Sequence, residues 1–375
     1  MAKMKVLHVI ASLQGGAAEH VLYLIEGLHN IGVSVHLAAP ADVAVIWDKL
    51  LKSPYSLLEI PTRENSSTFT ILKKYIIEQE FDIVHSHGIR AGVFCRRTLA
   101  KVVNRPYSIY TIHGYHPVFY KSGLKRWAVN YFEKRAFRNL TDKVICVSTS
   151  DKEEYERVIG KKADHNKVIL IPNGIDPNKY DSPLPMDNFS WPYSENDIVI
   201  GTIGRLMPQK RIDLLLDAIA LVNKKKPQIK LSILGDGPLC GTLKEKSKML
   251  GLEKTVHFHG NQENVGAWLK KWRLFVLSSE WEGLPLVILE SWAAGCPVVA
   301  TEVPGTVDLI NSKNDGLLVK FGSPEALAEA ILFALENFEE TEKWRVCGKK
   351  KLLENYHVKD MIKKTHDLYK EVVRK

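Results

Sequence analysis

Four charged side chains stand at positions where they could hold a phosphorylated ligand. Glu282 and Glu290, with seven residues between them, flank a glycine turn and the start of a predicted helix. Arg205 and Lys210 lie in an earlier loop that joins a predicted strand to a helix. Two fixed cations in such a loop suit a diphosphate, because guanidinium and ammonium groups form strong hydrogen bonds with phosphate oxygens.

The stretch around the two glutamates has a strand–loop–helix–strand pattern. The apolar run Leu274–Leu277 predicts a buried strand, and Gly283 turns the chain. Pro285 is tolerated in the first turn of the helix that follows, while Gly295 and Pro297 end it. The loop amides and the helix N-terminus would then point at one place, which favours an anion. The alternative is an ordinary β–α–β unit with two solvated glutamates.

The same stretch resembles the retaining glycosyltransferases of family 4. The resemblance rests on Glu282, Gly283 and Glu290 at this spacing, followed by the run Ala293-Ala294-Gly295-Cys296-Pro297-Val298-Val299-Ala300. It extends over nearly the whole chain. It implies the α/β fold named GT-B, in which two Rossmann-like domains face each other across a cleft and a C-terminal helix crosses back to the N-terminal domain.

Composition is that of a soluble globular protein with room for two domains. The chain has 375 residues, 45% hydrophobic and 25% charged. No apolar run approaches the roughly 20 residues that span a bilayer, and the N-terminal apolar run predicts a strand rather than a signal peptide. Five scattered cysteines, none in a C-x-x-C pair, indicate a reducing compartment without structural zinc or disulfides. A net charge of +9 favours anionic partners, namely nucleotides, anionic glycans or an anionic membrane surface.

The first half of the chain alternates predicted strands with helices, which indicates a parallel, doubly wound sheet. The strands are predicted at Lys5–Ala11, Ser34–Ala39, Ser56–Ile60, Asp82–His85, Tyr107–Ile112, Lys143–Val147 and Lys167–Ile171. Gly15 and Gly16 lie between the first strand and a helix, where glycine lets the backbone approach a phosphate closely. A plain helix-starting turn is the alternative. No G-x-G-x-x-G fingerprint is present in either half.

Histidines follow two of these strands, where ligands bind in such sheets. His85 and His87 would point to opposite faces if the strand continues, and no nearby cysteine or aspartate cluster completes a site, so we predict no metal. His113 lies in a Thr-x-His-Gly setting that resembles a family position facing the donor sugar. A hydrogen-bonded loop histidine is the alternative.

The segment from Lys121 to Arg138 is basic and rich in aromatic residues. It has two interpretations: an amphipathic helix lying on an anionic membrane, or a helix that packs its aromatics inside and solvates its charges. We prefer the second interpretation.

Domain boundaries follow from the hinge-like Pro172-Asn173-Gly174-Ile175-Asp176 and the proline-rich stretch after it. We predict an acceptor-side domain over 1–174, a linker over 175–196, a nucleotide-sugar domain over 197–355 and a crossing helix over 356–375. Strands in the second domain are predicted at Ile198–Ile203, Lys230–Leu234, Val256–Gly260, Leu274–Leu277, Pro297–Ala300 and Leu317–Phe321.

The resemblance implies transfer of a sugar from a nucleotide donor, UDP-linked by preference or GDP-linked, to an acceptor hydroxyl with retention of configuration. His113, Glu282, Arg205 and Lys210 would be catalytic. The donor would be held by Gly15, Gly16, Arg205, Lys210, Glu282, Gly283, Leu284, Pro285, Leu286 and Glu290. No metal or other cofactor is expected.

By the same resemblance the acceptor is a glycan or a lipid-linked glycan of the cell envelope or an exopolysaccharide. The protein would then be cytoplasmic or peripheral on the inner membrane face, and we expect no nucleic-acid partner. Two alternatives are a nucleotide-sugar epimerase of the same fold and a non-catalytic relative that binds nucleotide sugars. A Rossmann dehydrogenase is disfavoured by the missing fingerprint.

Overall fold

The computed structural model of the protein describes residues 3–11, 15–40, 55–61, 66–115, 123–181 and 191–374. These residues form two compact units. Unit 1 comprises Met1–Asn173 and Val358–Lys375, and unit 2 comprises Gly174–His357. Part of the predicted linker, residues 182–190, lies outside the described residues.

Unit 1 contains a parallel sheet of seven strands in its described part, in the order β3-β2-β1-β4-β5-β6-β7. The strands are β1 Lys5–Ile10, β2 Ser34–Pro40, β3 Ser56–Ile60, β4 Ile83–His87, β5 Tyr107–Ile112, β6 Lys143–Cys146 and β7 Val168–Leu170. The helices are α1 Gly16–Asn30, α2 Ser66–Gln79, α3 Gly88–Leu99, α4 Gly123–Leu140, α5 Thr149–Ile159 and the C-terminal helix Val358–Val373, here α14.

Unit 2 contains a second parallel sheet, in the order β10-β9-β8-β11-β12-β13. Its strands are β8 Ile198–Ile203, β9 Ile229–Leu234, β10 Val256–Phe258, β11 Leu274–Leu277, β12 Val298–Glu302 and β13 Leu317–Lys320. Its helices are α6 Asn178–Asp181, α7 Ile212–Lys225, α8 Cys240–Met249, α9 Val265–Lys271, α10 Leu286–Ala294, α11 Thr306–Leu309, α12 Pro324–Glu336 and α13 Phe338–Asn355.

Helices pack on both sheets, and the central strands are accordingly buried. In β11 all four residues are buried, as expected for a central strand of a parallel sheet. The core of unit 2 packs such strands against α7 and α12, including Leu215, Ile219 and Ile331. Each predicted strand is present, with ends that differ by no more than about two residues, the usual uncertainty of such boundaries.

Strand order decides where ligands can bind in each unit. The order reverses beside β1 and β4 in unit 1 and beside β8 and β11 in unit 2. In open parallel sheets the loops at such a reversal diverge and leave a crevice beyond the carboxyl ends of the strands. The loops that follow β1, β4, β8 and β11 are therefore the ones to inspect for a site.

The C-terminal helix α14 belongs to unit 1, although the segment that precedes it, Gly174–His357, forms unit 2. Its buried face includes Met361, Leu368 and Tyr369, and Ile362 packs so closely on Gly27 of α1 that a Cβ there would lie 2.2 Å from Ile362 Cδ1. Among the described helices, none is both long and apolar enough to cross a membrane.

Candidate active site

Two loops of unit 2 meet because β8 and β11 are neighbours in the sheet. The loop after β8 carries Lys210 and the loop after β11 carries Glu282, and the Lys210 Nζ donates to Glu282 Oε1 at 2.5 Å. The loops are also joined by Gln209, whose side-chain amide donates to the Trp281 carbonyl at 2.7 Å. Residues 72 positions apart in the chain are thus fixed side by side.

Glu282 is a carboxylate held almost entirely out of water, with 6% of its surface exposed. Besides Lys210, the fully buried Ser279 donates its hydroxyl to Glu282 Oε1 at 2.6 Å. A buried carboxylate is tolerated only when such partners compensate its lost hydration. The free protein therefore holds Glu282 in one orientation before any ligand arrives.

The N-terminus of α10 lies at the same edge of the sheet, directly after the loop that carries Glu282. Pro285 is its N-cap, no side chain caps it, and no acidic residue lies in its first turn. The uncapped N–H groups and the helix dipole make this end attractive to an anion. Gly305 approaches closely, since a Cβ there would lie 2.4 Å from the Gly283 carbonyl oxygen. The backbone at Gly283 is consequently held by close packing against Gly305.

Glu290 lies inside α10 and is 6% exposed. The alternative of two solvated glutamates is therefore wrong for both carboxylates. Burial of a carboxylate inside a helix requires polar partners that compensate its lost hydration.

Arg205 differs from Lys210. Its side chain is exposed, and within residues 191–374 and the other described ranges no ion pair engages it. The ion pair with Glu282 fixes the orientation of the Lys210 side chain, whereas the charge of Arg205 is available to an incoming anion. The loop is also strained: Arg211 has φ +46°, a left-handed conformation that is uncommon for a residue other than glycine.

In unit 1, Gly15 forms the N-cap of α1 with φ +90° and ψ −173°, a backbone conformation open almost only to glycine. No side chain caps this helix either, and Gly16 is its first residue. Because the two glycines have no side chains, a ligand could contact the protein backbone at the start of α1.

His113 follows β5 and is partly buried in unit 1. The loop after it is held by Asp151, which accepts hydrogen bonds from the Gly114 and Tyr115 backbone N–H groups at 3.0 and 2.6 Å. Our sequence reasoning missed Asp151. A sequence signal for this residue was present, because Ser148 and Asp151 have the spacing of a helix capping box. In the structure Ser148 does cap α5.

The prediction that His85 and His87 point to opposite faces is wrong. β4 extends to His87, and residues two apart on a strand point to the same face. Their ring centroids lie 4.1 Å apart. His8, His20 and His113 join them, so that five histidines from four elements form one cluster, which we call the histidine cluster.

The basic segment also differs from our preferred interpretation; of it, residues 121–122 lie outside the described part. In α4, Phe137 is buried, but Leu124, Trp127 and Tyr131 are 79%, 64% and 57% exposed. The Trp127 and Tyr131 rings stack, with centroids 5.6 Å apart. Glu133 faces inward and pairs with Arg96 at 2.6 Å, so its charge does not offset the exposed cations.

Two family models match, and together they cover most of the chain. Residues 14–179 match Glycosyltransferase Family 4, and residues 186–351 match Glycosyl transferases group 1. An uncharacterized glycosyltransferase of Methanocaldococcus jannaschii is 30% identical over 271 residues, covering 71% of this chain and 69% of that protein.

A second relative has a specific name. It is the Escherichia coli UDP-Gal:alpha-D-GlcNAc-diphosphoundecaprenol alpha-1,3-galactosyltransferase, 26% identical over 313 residues, which cover 82% of this chain and 79% of that protein.

Solved structures agree with the architecture. Anabaena HepE, in complex with UDP and glucose, has a TM-score of 0.83 at 19% identity, with 98% of this chain and 100% of that chain covered. WaaG, a glycosyltransferase involved in lipopolysaccharide biosynthesis, has a TM-score of 0.77 at 16% identity, with 97% and 99% covered. At these identities the likeness establishes the fold.

The carboxylate pair, the cationic loop, the two Rossmann-like units and the matches over both halves agree with one another. The chain belongs to the group 1 glycosyltransferases of the family 4 type, with the GT-B fold.

Proposed function

We propose that this glycosyltransferase moves a sugar from a UDP-sugar to an acceptor hydroxyl with retention of configuration. The observation that carries the proposal is the buried Glu282, oriented by Lys210 and Ser279 beside the uncapped N-terminus of α10. The choice of UDP is supported by relatives: HepE binds UDP and glucose, and the Escherichia coli relative is named for UDP-Gal.

Departure of UDP requires stabilisation of its developing negative charge. Arg205 and Lys210 supply positive charge, and the backbone N–H groups of Gly283 and Leu286 supply hydrogen-bond donors. We assign no metal to the diphosphate. The second buried carboxylate, Glu290, accepts hydrogen bonds from the ribose hydroxyls.

Retention has two possible routes, through a covalent carboxylate intermediate or by attack on the face from which UDP leaves. Glu282 is a poor nucleophile here because Lys210 and Ser279 already bind its Oε1. We therefore favour same-face attack, with the leaving phosphate accepting the acceptor's proton. Glu282 then orients the sugar hydroxyls. Donor contacts of His113, Gly15 and Gly16 are a separate part of the proposal.

The acceptor we propose is a lipid-linked glycan in envelope or exopolysaccharide synthesis. The Escherichia coli relative is named for a diphosphoundecaprenol-linked sugar. Mass spectrometry of UDP-sugars incubated with the protein, with and without a diphosphoundecaprenol-linked sugar, tests this directly. Product must appear only with the acceptor; a converted donor without acceptor would instead indicate an epimerase, and no change in either sample a non-catalytic relative.

Glu290→Gln is expected to weaken UDP binding by about 1–2 kcal/mol, because a neutral amide replaces a charged acceptor of ribose hydrogen bonds. Isothermal titration with UDP and GDP measures this for both proteins. Glu302→Gln, at an exposed glutamate on β12 of the same unit, is the matched control. Equal UDP affinity in wild type and Glu290→Gln would remove Glu290 from the site.

The proposal also includes contact between α4 and an anionic membrane surface. Exposed Leu124, Trp127 and Tyr131 form one apolar stripe at helical spacing. Exposed Arg126, Lys134, Arg135 and Arg138 surround it, and the inward ion pair of Glu133 leaves their charge unopposed. Aromatic residues with flanking cations are typical of a helix that lies on an anionic bilayer.

Replacing both Trp127 and Tyr131 by alanine is expected to weaken binding to phosphatidylglycerol vesicles about tenfold or more, since two apolar side chains leave the interface. Vesicle sedimentation measures it. Met249→Ala, at an 82% exposed apolar residue of unit 2, is the control. If the double variant sediments like wild type, α4 does not contact the membrane.

A further inference from the structure

The histidine cluster places imidazole rings from several elements at the carboxyl edge of one sheet. His8 lies on β1, His85 and His87 on β4, His20 on α1, and His113 just after β5. β1 and β4 are the neighbours at which the strand order reverses, so the cluster lies where such a sheet binds ligands. Three of its members have a geometry suited to one particular ligand.

His20 is held by a hydrogen bond that determines its tautomer. Its Nδ1 lies 2.9 Å from the carbonyl oxygen Oδ1 of Asn173, an acceptor, so Nδ1 carries the proton. The lone pair is then on Nε2. A metal-binding histidine typically donates its other ring N–H to such an oxygen.

His87 and His113 present nitrogens to each other. His87 Nδ1 and His113 Nε2 lie 3.4 Å apart, and the other nitrogen of His87 is hydrogen-bonded to His8 Nδ1 at 3.0 Å. Two ligands of a tetrahedral zinc ion, each about 2.0–2.1 Å from it, are about 3.4 Å apart. One nitrogen from each of His20, His87 and His113 lies within 4.8 Å of the others.

Two nitrogens of the cluster are buried without a hydrogen-bond partner in the described residues: His8 Nε2 and His113 Nδ1. Neither atom is a proposed ligand, because the nitrogens of the triad that face each other are His87 Nδ1 and His113 Nε2.

A second triad, His8, His85 and His87, is less suitable. His85 uses both ring nitrogens within the protein, Nε2 with the Thr111 hydroxyl at 2.6 Å and Nδ1 with the Tyr369 hydroxyl at 2.5 Å. Metal binding there would break one of these bonds. In the triad of His20, His87 and His113, a metal ion would replace the longer 3.4 Å contact between His87 Nδ1 and His113 Nε2.

We propose that His20, His87 and His113 form a binding site for one divalent transition-metal ion, with Zn²⁺ as the expected ion, and that Asn173 and His8 orient His20 and His87 as ligands. Imidazole nitrogens suit Zn²⁺, Co²⁺ and Ni²⁺, whereas Mg²⁺ and Ca²⁺ prefer oxygen. This site is independent of the diphosphate site of unit 2.

One consequence rests on the proposed function. His113 cannot contact the donor sugar while its nitrogen binds a metal ion. Zn²⁺ should therefore inhibit transfer, and EDTA should restore full turnover, because no metal is needed at the diphosphate. Failure of this consequence alone would count against the sugar contact of His113 and not against the metal site.

The site itself is tested by metal binding, without nucleotide sugars. Untagged full-length protein, stripped with EDTA and exchanged into chelator-free buffer, is titrated with Co²⁺ while visible absorption is recorded, and then with Zn²⁺ in a calorimeter. We expect one ion per chain and the intense absorption bands of tetrahedral Co²⁺. His20→Gln, His87→Gln and His113→Gln should each abolish the bands.

Two further variants distinguish a metal site from a hydrogen-bonded cluster. Asn173→Ala should weaken Zn²⁺ binding by about 10–100-fold, the usual effect of removing a group that orients a metal ligand. His36→Gln removes a buried histidine of unit 1 that lies outside the cluster and is hydrogen-bonded to Tyr75. This variant should bind Zn²⁺ like wild type. Absence of one-to-one Zn²⁺ binding in the wild type, or equal loss in His87→Gln and His36→Gln, would overturn the proposal.

Discussion

Lys210→Ala is expected to lower turnover by about 10- to 150-fold, the rate equivalent of losing a charge-assisted contact of about 1.5–3 kcal/mol with the leaving diphosphate. Arg205→Ala should produce a loss of the same order. Lys210 has a second task, because it is an ion-pair partner of the buried Glu282. Steady-state kinetics with a UDP-sugar and a lipid-linked acceptor measure both variants.

The controls separate lost charge from lost folding. Lys210→Gln keeps a hydrogen-bond donor for Glu282 but removes the positive charge, so it should fold like wild type and still transfer slowly. Lys320→Ala, at an exposed lysine of β13 in the same unit, should keep wild-type turnover. If Arg205→Ala and Lys210→Ala both turned over like wild type, the assigned donor site would be wrong.

Acidification from pH 7 to pH 5 is expected to destabilise unit 1 through the histidine cluster. Burial lowers the pKa of His8 to about 3 and that of His20 to about 4. Between these values and 6.5 the unfolded chain binds more protons than the folded one, so stability falls as pH falls. By pH 5 each of these histidines should cost about 2 kcal/mol of unfolding free energy.

Hydrogen exchange of β1 and β4 peptides across a denaturant series, in EDTA, measures this loss for unit 1 separately from unit 2. His8→Gln should reduce the difference between pH 7 and pH 5 by about 2 kcal/mol, because its titrating group is gone. A pH dependence in His8→Gln equal to that of wild type would show that His8 is not buried in its neutral form.

The elements were readable from sequence because their signals are local. Apolar runs such as Leu274–Leu277 predict buried strands, and Gly295 ends α10 in a left-handed conformation, with φ +72°. The Glu282 and Glu290 spacing, with its glycine and proline context, placed both carboxylates on the correct loop and helix, because the seven residues between them are few enough for local structure to fix.

The contacts that could not be predicted from the sequence depend on which strands are neighbours in the sheets. The contact between Lys210 and Glu282 spans 72 residues and exists because β8 pairs with β11, which no local pattern encodes. The histidine cluster likewise requires β4 beside β1 and two more residues of β4 than predicted. Exposure of Trp127 and Tyr131 was decided by which face of α4 the buried Glu133 and Phe137 occupy. The sequence by itself thus determined the two-domain α/β class, the family and the identity of the candidate residues, whereas only tertiary packing decided which of them are buried, paired and in contact.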